Sequence, residues 1–445
     1  MDDLMQVKKP NNRTVEVGVA RLDITPSVPM RLSGFAARPA VKATEALHRL
    51  SAKALALGSD SEGPSIIITV DLLGIQWRIA SQVITRLSAK TGIDPAQIVI
   101  AASHTHGGPE TGNLINVLQC RGDYPTSFHF SDCLPDLDEL IAMAEFNENL
   151  IHNLEEVALA AWNDRQPACV AWGQGEASFG VNRITPGGPV DQALPVLRVT
   201  SPDGKLRAVL LNYATHGISY GPTVNKFHGD WMGEAQLQLE AMFPGAVAMV
   251  AIGCAGDSHP VRQGKTAYVT AYGTEIATRV KQVLQSPMTP LVTPPVGKMT
   301  WVKLPFGKLP TVPEWIEWAK TDKTIKGYYA RLALERLQRG EQLPSELDYP
   351  IQTWAFGEEL VMINMANEVV VDYSLKLKNK FRPVWINTYA NDVSCYLASR
   401  RLIKAGGYEG DVSMYWYHMP APFAEEVEDI ILDAIDRMMP RSFKK

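Results

Sequence analysis

The chain has no pair of cysteines at Cys-x-x-Cys spacing: its 5 cysteines, Cys120, Cys133, Cys169, Cys254 and Cys395, are scattered and odd in number. That pattern argues against a disulfide framework and against a thiolate zinc site. Buried free thiols are the expectation, and any metal must be held by nitrogen and oxygen. Long apolar runs are also missing. The most apolar stretches, Ile66–Leu73 and Ala246–Cys254, fall far short of the roughly 20 residues a membrane-spanning helix needs. Met1–Arg13 is polar and lacks the apolar core of a secretory signal, so a cytoplasmic location is expected. No basic stripe is present. Net charge is −5, from 43 Lys+Arg against 48 Asp+Glu spread along the chain, which argues against nucleic acid as a partner. Arg441–Lys445 is basic but short and reads as a solvated tail. Internal repeats and low-complexity tracts are absent.

What is there is an ordinary globular composition, 46% hydrophobic and 20% charged over 445 residues. Apolar, β-branched segments read as strands at Val15–Ile24, His48–Leu57, Pro64–Ile75, Gln97–Ala102 and Ala168–Trp172. Val196–Tyr213 reads as two more, broken by the turn Pro202-Asp203-Gly204. Ala246–Ile252, Ile351–Phe356, Leu360–Met365 and Val384–Tyr389 follow. Helical periodicity marks Arg78–Thr91, ending at Gly92 as C-cap, then Leu137–Asn163, Glu234–Met242, Ala267–Leu284 and Ala424–Met439. This alternation predicts an α/β fold: a mostly parallel or mixed sheet flanked by helices, with the functional site beyond the strand ends. The proline-containing stretch Pro287–Pro305 is a candidate seam, and Pro313–Glu341 reads as one or two polar helices. The expectation is one catalytic domain over 1–445 with a helical excursion near 306–348.

The 9 histidines carry the functional signal, because several follow directly on apolar strands. Ile98–Ala102 runs into His104-Thr105-His106-Gly107-Gly108-Pro109, Val209–Tyr213 into Thr215-His216-Gly217, and Ala246–Ile252 into Gly256-Asp257-Ser258-His259-Pro260. If 104–106 stays extended, His104 and His106 point to one side. Both then ligate a metal, or one ligates while the other serves as acid, base or hydrogen-bond donor. In His228-Gly229-Asp230, the aspartate suits a helix N-cap and the histidine a supporting position behind a ligand or a loop histidine without a role. His48, His129, His152 and His418 lack such context and read as structural.

With these residues in view, the chain resembles the neutral/alkaline, non-lysosomal ceramidase family, zinc amidases that cleave the N-acyl bond of ceramide. The matches run in order along most of the chain. Val17–Pro26 is similar to the family's opening Gly-x-Ala-Asp-Ile-Thr segment. His48 with Ala52-Lys53-Ala54 is similar to its His-x-x-Leu-x-Ala-Arg-Ala strand, and Asp71 to the aspartate closing the next strand. His104-Thr105-His106-Gly107-Gly108-Pro109 resembles the His-Thr-His-Ser-Gly-Pro signature. The resemblance implies His104, His216, Glu368 and Tyr396 as Zn2+ ligands. It also implies His106, Arg183 (of Asn182-Arg183) and Tyr408 (of Tyr408-Glu409-Gly410) as catalytic residues. His259 stands where the family's Gly-Asp-x-Ser-Pro loop has serine and is the fourth catalytic candidate, as acid/base or hydrogen-bond donor.

The implied activity is zinc-dependent hydrolysis of an amide, with metal-bound water as nucleophile and a small-molecule or lipid-amide substrate. The alternative, motivated by the altered loop at His259, is the same scaffold acting on or binding a small polar or sugar-derived ligand. The family motifs end near Tyr408 and the chain soon after, so the expectation is a short form without the carboxyl-terminal β-domain of larger ceramidases.

Overall fold

The computed structural model describes residues 13–112, apart from positions 37 and 39, and residues 135–445. Cys120, Cys133 and His129 lie outside the described residues. The three described cysteines, Cys169, Cys254 and Cys395, are buried free thiols, as expected.

A nine-stranded sheet forms the centre. In spatial order its main path runs Ile98–Ala102, Ser65–Val70, Ser51–Leu57, Val15–Asp23, Gln166–Glu176, Ala193–Thr200, Leu206–Tyr213 and Val247–Ile252, with Thr289–Leu291 added beside Gln166–Glu176. The sheet is mixed, and its parallel pairs sit at its two ends. Ser65–Val70 pairs parallel with Ile98–Ala102, and Leu206–Tyr213 with Val247–Ile252. The middle is antiparallel. The parallel steps occur where a helix supplies the crossover: Trp77–Thr91 at one end and Asp230–Met242 at the other. A second sheet, Val296–Pro305, Glu346–Phe356, Leu360–Met365 and Val384–Asn387, packs against the first. The proline-rich seam is therefore a strand in large part, and the helices Val312–Thr321 and Ile325–Gln338 fall between two strands of one antiparallel pair.

Side-chain alternation explains the layers. Leu55, Leu57, Ile67, Val99, Val199 and Leu210 meet Trp354, Phe356, Met362 and Trp385 of the second sheet. Ala54, Ile66, Ile68 and Ile100 face the other way and join Ile79, Val83 and Leu87 of one helix with Leu150, Leu154 and Val157 of another. Strands covered on both faces read as continuous apolar runs, the pattern visible in the sequence. The helix Leu137–Asn163 starts at a capping box, Asp136 with Glu139, and Trp77–Thr91 stops at Gly92 in the left-handed region.

This architecture brings strand ends together. Bridges Ala101–Ala390 and Ile252–Thr388 tie the carboxyl ends of both edge strands to the segment after Val384–Asn387. The loops following Ala102, Tyr213, Ile252 and Met365 thereby open on one site, beyond the strand ends.

Candidate metal centre

His104 is the first residue to leave the sheet, and it is not extended. Its φ is 55°, a conformation uncommon for residues other than glycine and enriched at functional sites. The expectation of alternating side chains over 104–106 therefore fails. His104 and His106 meet because the backbone turns, bringing their Nε2 atoms to 3.4 Å. Thr105 bridges to Gly217 in parallel fashion, and His106 N donates to Gly217 O at 3.2 Å. That bridge sets His216 beside the His-Thr-His segment. Only glycine fits there, since a Cβ on Gly217 would stand 2.6 Å from His104 O. One ring nitrogen from each of His104, His106 and His216 lies within 4.8 Å of the others, so the three form a group able to hold a metal ion.

Glu368 and Tyr396 arrive from the opposite wall. Glu368–Val369 and Tyr396–Leu397 form a two-residue parallel ladder in which Glu368 stands directly opposite Tyr396. Glu368 Oε2 lies 3.2 Å from His104 Nε2 and 3.2 Å from His216 Nε2. Tyr396 hydroxyl lies 3.2 Å from His216 Nε2. The loop Gly253–Asp257 presses on this ladder, with Gly256 N donating to Val369 O.

The donors are oriented. His104 Nδ1 donates to Leu73 O at 2.7 Å, and His216 Nδ1 lies 2.7 Å from Ala255 O and 3.0 Å from Ser258 O. Each ring's Nδ1 hydrogen is thus engaged by backbone and its Nε2 lone pair faces the cluster, the outer bond that fixes a metal-ligating histidine. His106 differs: its Nδ1 has no partner. Burial drives His216 down to about 3, and drives His106 well below the ordinary imidazole value, so both rings are neutral at pH 7. Glu368 is held by Tyr417, whose hydroxyl donates to Oε1, and by Tyr389 at 3.5 Å from Oε2. Tyr389 also stacks on His104, with ring centroids 4.2 Å apart.

These residues fit a divalent ion. A tetrahedral site with bonds of about 2.0–2.2 Å has ligand–ligand edges of about 3.3–3.6 Å, close to the spacings of 3.2 Å found here. A carboxylate with 0% exposure, contacted by imidazoles and phenols, lacks the counter-charge a bound cation would provide. Neutral imidazole and carboxylate together suit first-row transition metals.

Arg183 closes one side. Its Nε donates to Glu409 at 2.7 Å and its Nη2 to Tyr396 hydroxyl at 2.9 Å, while Nη1 lies 3.3 Å from His216 Nε2. Burial would lower its pKa, but Tyr396 and Glu409 prevail and hold it well above the ordinary value. Tyr408, part exposed, stands edge-on to Tyr396 at 5.5 Å with the Arg183 guanidinium near its ring. His259 sits further out. It is half-buried on the short strand Ser258–Pro260, and its Nδ1 meets Gln263 Nε2 at 2.6 Å. Burial and the charge of Arg183 both lower its pKa.

Sequence reasoning missed Tyr389, Tyr417 and Glu409. Glu409 lay inside the Tyr-Glu-Gly motif, and Tyr389 at a strand end like the histidines; Tyr417 carried no signal. Asp230 is not an N-cap but the first helical residue, at φ 51°. Its carboxylate accepts the backbone N–H groups of Ser219, Tyr220 and Trp231, tying down the loop after His216. His228 is buried rather than a loop ornament: its ring packs on Gly107, and its carbonyl accepts Thr105 Oγ1 at 2.7 Å. His48 pairs with Glu234 at 3.3 Å, away from the cluster.

No protein-family model matches the sequence, and no curated protein matches it. Solved structures do. The crystal structure of neutral ceramidase from Pseudomonas aeruginosa superposes with a TM-score of 0.72 at 18% identity, covering 97% of this chain and 76% of that one. A ceramidase complexed with C2 superposes at 0.70 and 16% identity, covering 96% and 76%. The fold is thus that of the neutral ceramidases. No helix among the described residues is long and apolar enough to cross a membrane.

Proposed function

We propose that the chain is a zinc-dependent hydrolase of an amide (N-acyl) bond, with His104, His216, Glu368 and Tyr396 as the metal ligands. The observation that carries this reading is the set of 3.2 Å contacts linking two Nε2 atoms, a buried carboxylate and a phenol. When bound, a zinc ion supplies Lewis-acid polarisation of a carbonyl and lowers the pKa of water toward about 7. The chain's own residues do the rest. The Arg183 guanidinium, fixed by Glu409, keeps a positive charge and N–H donors beside Tyr396, where charge developing on a carbonyl oxygen is stabilised. His106 is neutral, and its Nδ1 lacks the backbone bond that locks the two ligand histidines. It is therefore the ring free to take or give a proton. Tyr408 stands at the exposed side as a further hydroxyl donor, and His259, further from the cluster, acts on the substrate's outer part.

The test is metal content and turnover together. The purified chain is expected to hold one zinc per molecule and to lose it in the His104→Ala/His216→Ala double variant. Chelation should abolish, and zinc restore, hydrolysis of N-acyl amides. Full zinc retained by the double variant sinks the ligand set.

A further inference from the structure

Beside His106 lies a group of buried donors that the chemistry above leaves idle. Arg38 has 0% exposure, yet the only hydrogen bond of its side chain among the described residues is from Nη1 to Ser33 O at 3.0 Å; Nε and Nη2 have no partner. Those two nitrogens form one edge of the guanidinium, the fork that grips a carboxylate in bidentate fashion. The guanidinium packs 5.0 Å from the Phe35 ring, and that ring is 4.6 Å from the His106 ring. His228 adds a second idle donor. Its Nδ1 accepts Asp230 N–H at 3.3 Å, so the proton sits on Nε2, which is buried and unpartnered. His106 Nδ1 is the third unpartnered atom. The charge of Arg38 reaches both rings. The one acid whose charge reaches Arg38 is Glu110, whose Oε1 is taken by Gly112 N. Among the described residues none makes an ion pair with Arg38.

A buried cation using one of five donors is expensive unless something completes it. Only donors are on offer at its free edge and at His228, so what completes it must be an acceptor with negative charge. We propose that the fork of Arg38, with His228 Nε2, receives a carboxylate of the substrate, and that the bond cleaved belongs to an amide bearing that carboxylate near the scissile group. The cleavage part rests on the hydrolase reading above; the carboxylate site does not.

Two probes with the same acyl chain separate the possibilities: an N-acylglycine, which carries the carboxylate, and the N-acylethanolamine, which carries a hydroxyl instead. Binding is measured by calorimetry to the full chain, both zinc-free and zinc-loaded, and release of the fatty acid is followed separately. The zinc-free arm prevents a carboxylate–zinc contact from imitating the result. The N-acylglycine is expected to bind at least tenfold tighter in both forms, and Arg38→Gln to bring the ratio within threefold. Equal binding of the two probes to the unaltered protein overturns the inference, as does a preference that survives Arg38→Gln. The unaltered protein decides the matter even where the variant fails to fold. Preference without hydrolysis of either probe would remove the hydrolase and keep the carboxylate site; hydrolysis of both without preference would do the reverse.

Discussion

Tyr417 reaches the proposed centre by its hydroxyl, which donates to Glu368 Oε1 while Oε2 faces His104 and His216, and by its ring, edge-on to Tyr396 at 6.2 Å. Removing that hydroxyl leaves the carboxylate free to rotate and one buried oxygen without its donor. Outer partners of this kind typically contribute 10- to 100-fold to metal affinity. Tyr417→Phe is therefore expected to weaken zinc binding by about 10- to 100-fold, read by competition with a chromophoric chelator, while the fold survives. Unchanged affinity would mean that the ladder and Tyr389 hold Glu368 without the Tyr417 hydroxyl. Glu368→Gln probes the other half of the contact. The amide keeps the shape and removes the charge, so zinc retention should fall further than in Tyr417→Phe. At this scale the sequence was informative where chemistry coincides with a strand end, as at His104 and His216. It was silent at Tyr417, because a tyrosine in a helical stretch looks the same whether its hydroxyl meets solvent or a buried carboxylate. It misled at His104, where the turn to φ 55° is imposed by neighbouring chain and not by any local residue preference.

Among elements, the site is assembled by very short pairings. The Thr105–Gly217 bridge joins the two histidine loops, and Glu368 faces Tyr396 in a ladder of two residues per strand. The glycine is the weak point. A methyl at Gly217 would stand 2.5 Å from Met232 Cε, which can move, but also 2.6 Å from His104 O and 3.0 Å from Thr105 Cα, which are backbone. Gly217→Ala is expected to cost about 1–3 kcal/mol by overpacking and to separate His104 from His216. The urea midpoint should drop, and zinc affinity should drop with it; a stable variant with full zinc affinity would show that the bridge is dispensable. The helix Leu137–Asn163 offers a contrast, since Asp136→Ala removes a capping box remote from the histidines. It should cost about 1 kcal/mol and leave zinc affinity alone. The helices and most strands were legible because burial of a face, or of two, writes a period into the sequence. Strand direction was not. A buried antiparallel strand and a buried parallel one are equally apolar, so the antiparallel middle of the large sheet left no mark except the turn Pro202-Asp203-Gly204, which joins Ala193–Thr200 to Leu206–Tyr213. Glu368 and Tyr396 were named only through the family resemblance, and their ladder was not foreseen, because backbone pairing across 28 positions leaves no local pattern.

For the molecule as a whole, buried titratable groups set a stability curve with two limbs. His418 is driven by burial, and by the charge of Arg336, down to about 4 from an ordinary 6.5. The unfolded chain therefore takes up a proton that the native state refuses. Stability due to this group is complete above pH 6.5 and is lost as pH falls toward 4, by up to about 3 kcal/mol. His228, fully buried, acts in the same sense. Glu110 acts in the opposite sense. Burial raises it from 4.5 to about 8 against the pull of Gly112 N and of Arg31, so the native state keeps a proton that the unfolded chain releases. Stability from Glu110 is complete below pH 4.5 and is lost as pH rises through 8, by up to about 5 kcal/mol. The two limbs overlap between pH 4.5 and 6.5, where their slopes oppose, so the zinc-free chain should be most stable near pH 6.5 and lose stability above it as Glu110 alone acts. Urea midpoints from pH 4 to 9 test this, and two variants assign the limbs. His418→Gln should flatten the acid side and leave the alkaline side unchanged. Glu110→Gln keeps a neutral side chain of the same shape against Gly112 N, and should remove most of the loss between pH 6 and 8. An alkaline limb of undiminished slope in Glu110→Gln would mean that Glu110 is already ionised at neutral pH, held so by Arg31 and Arg38. In that case the charge of Arg38 would have a partner in its own chain, and the free fork beside His106 would have less call for a carboxylate from the substrate.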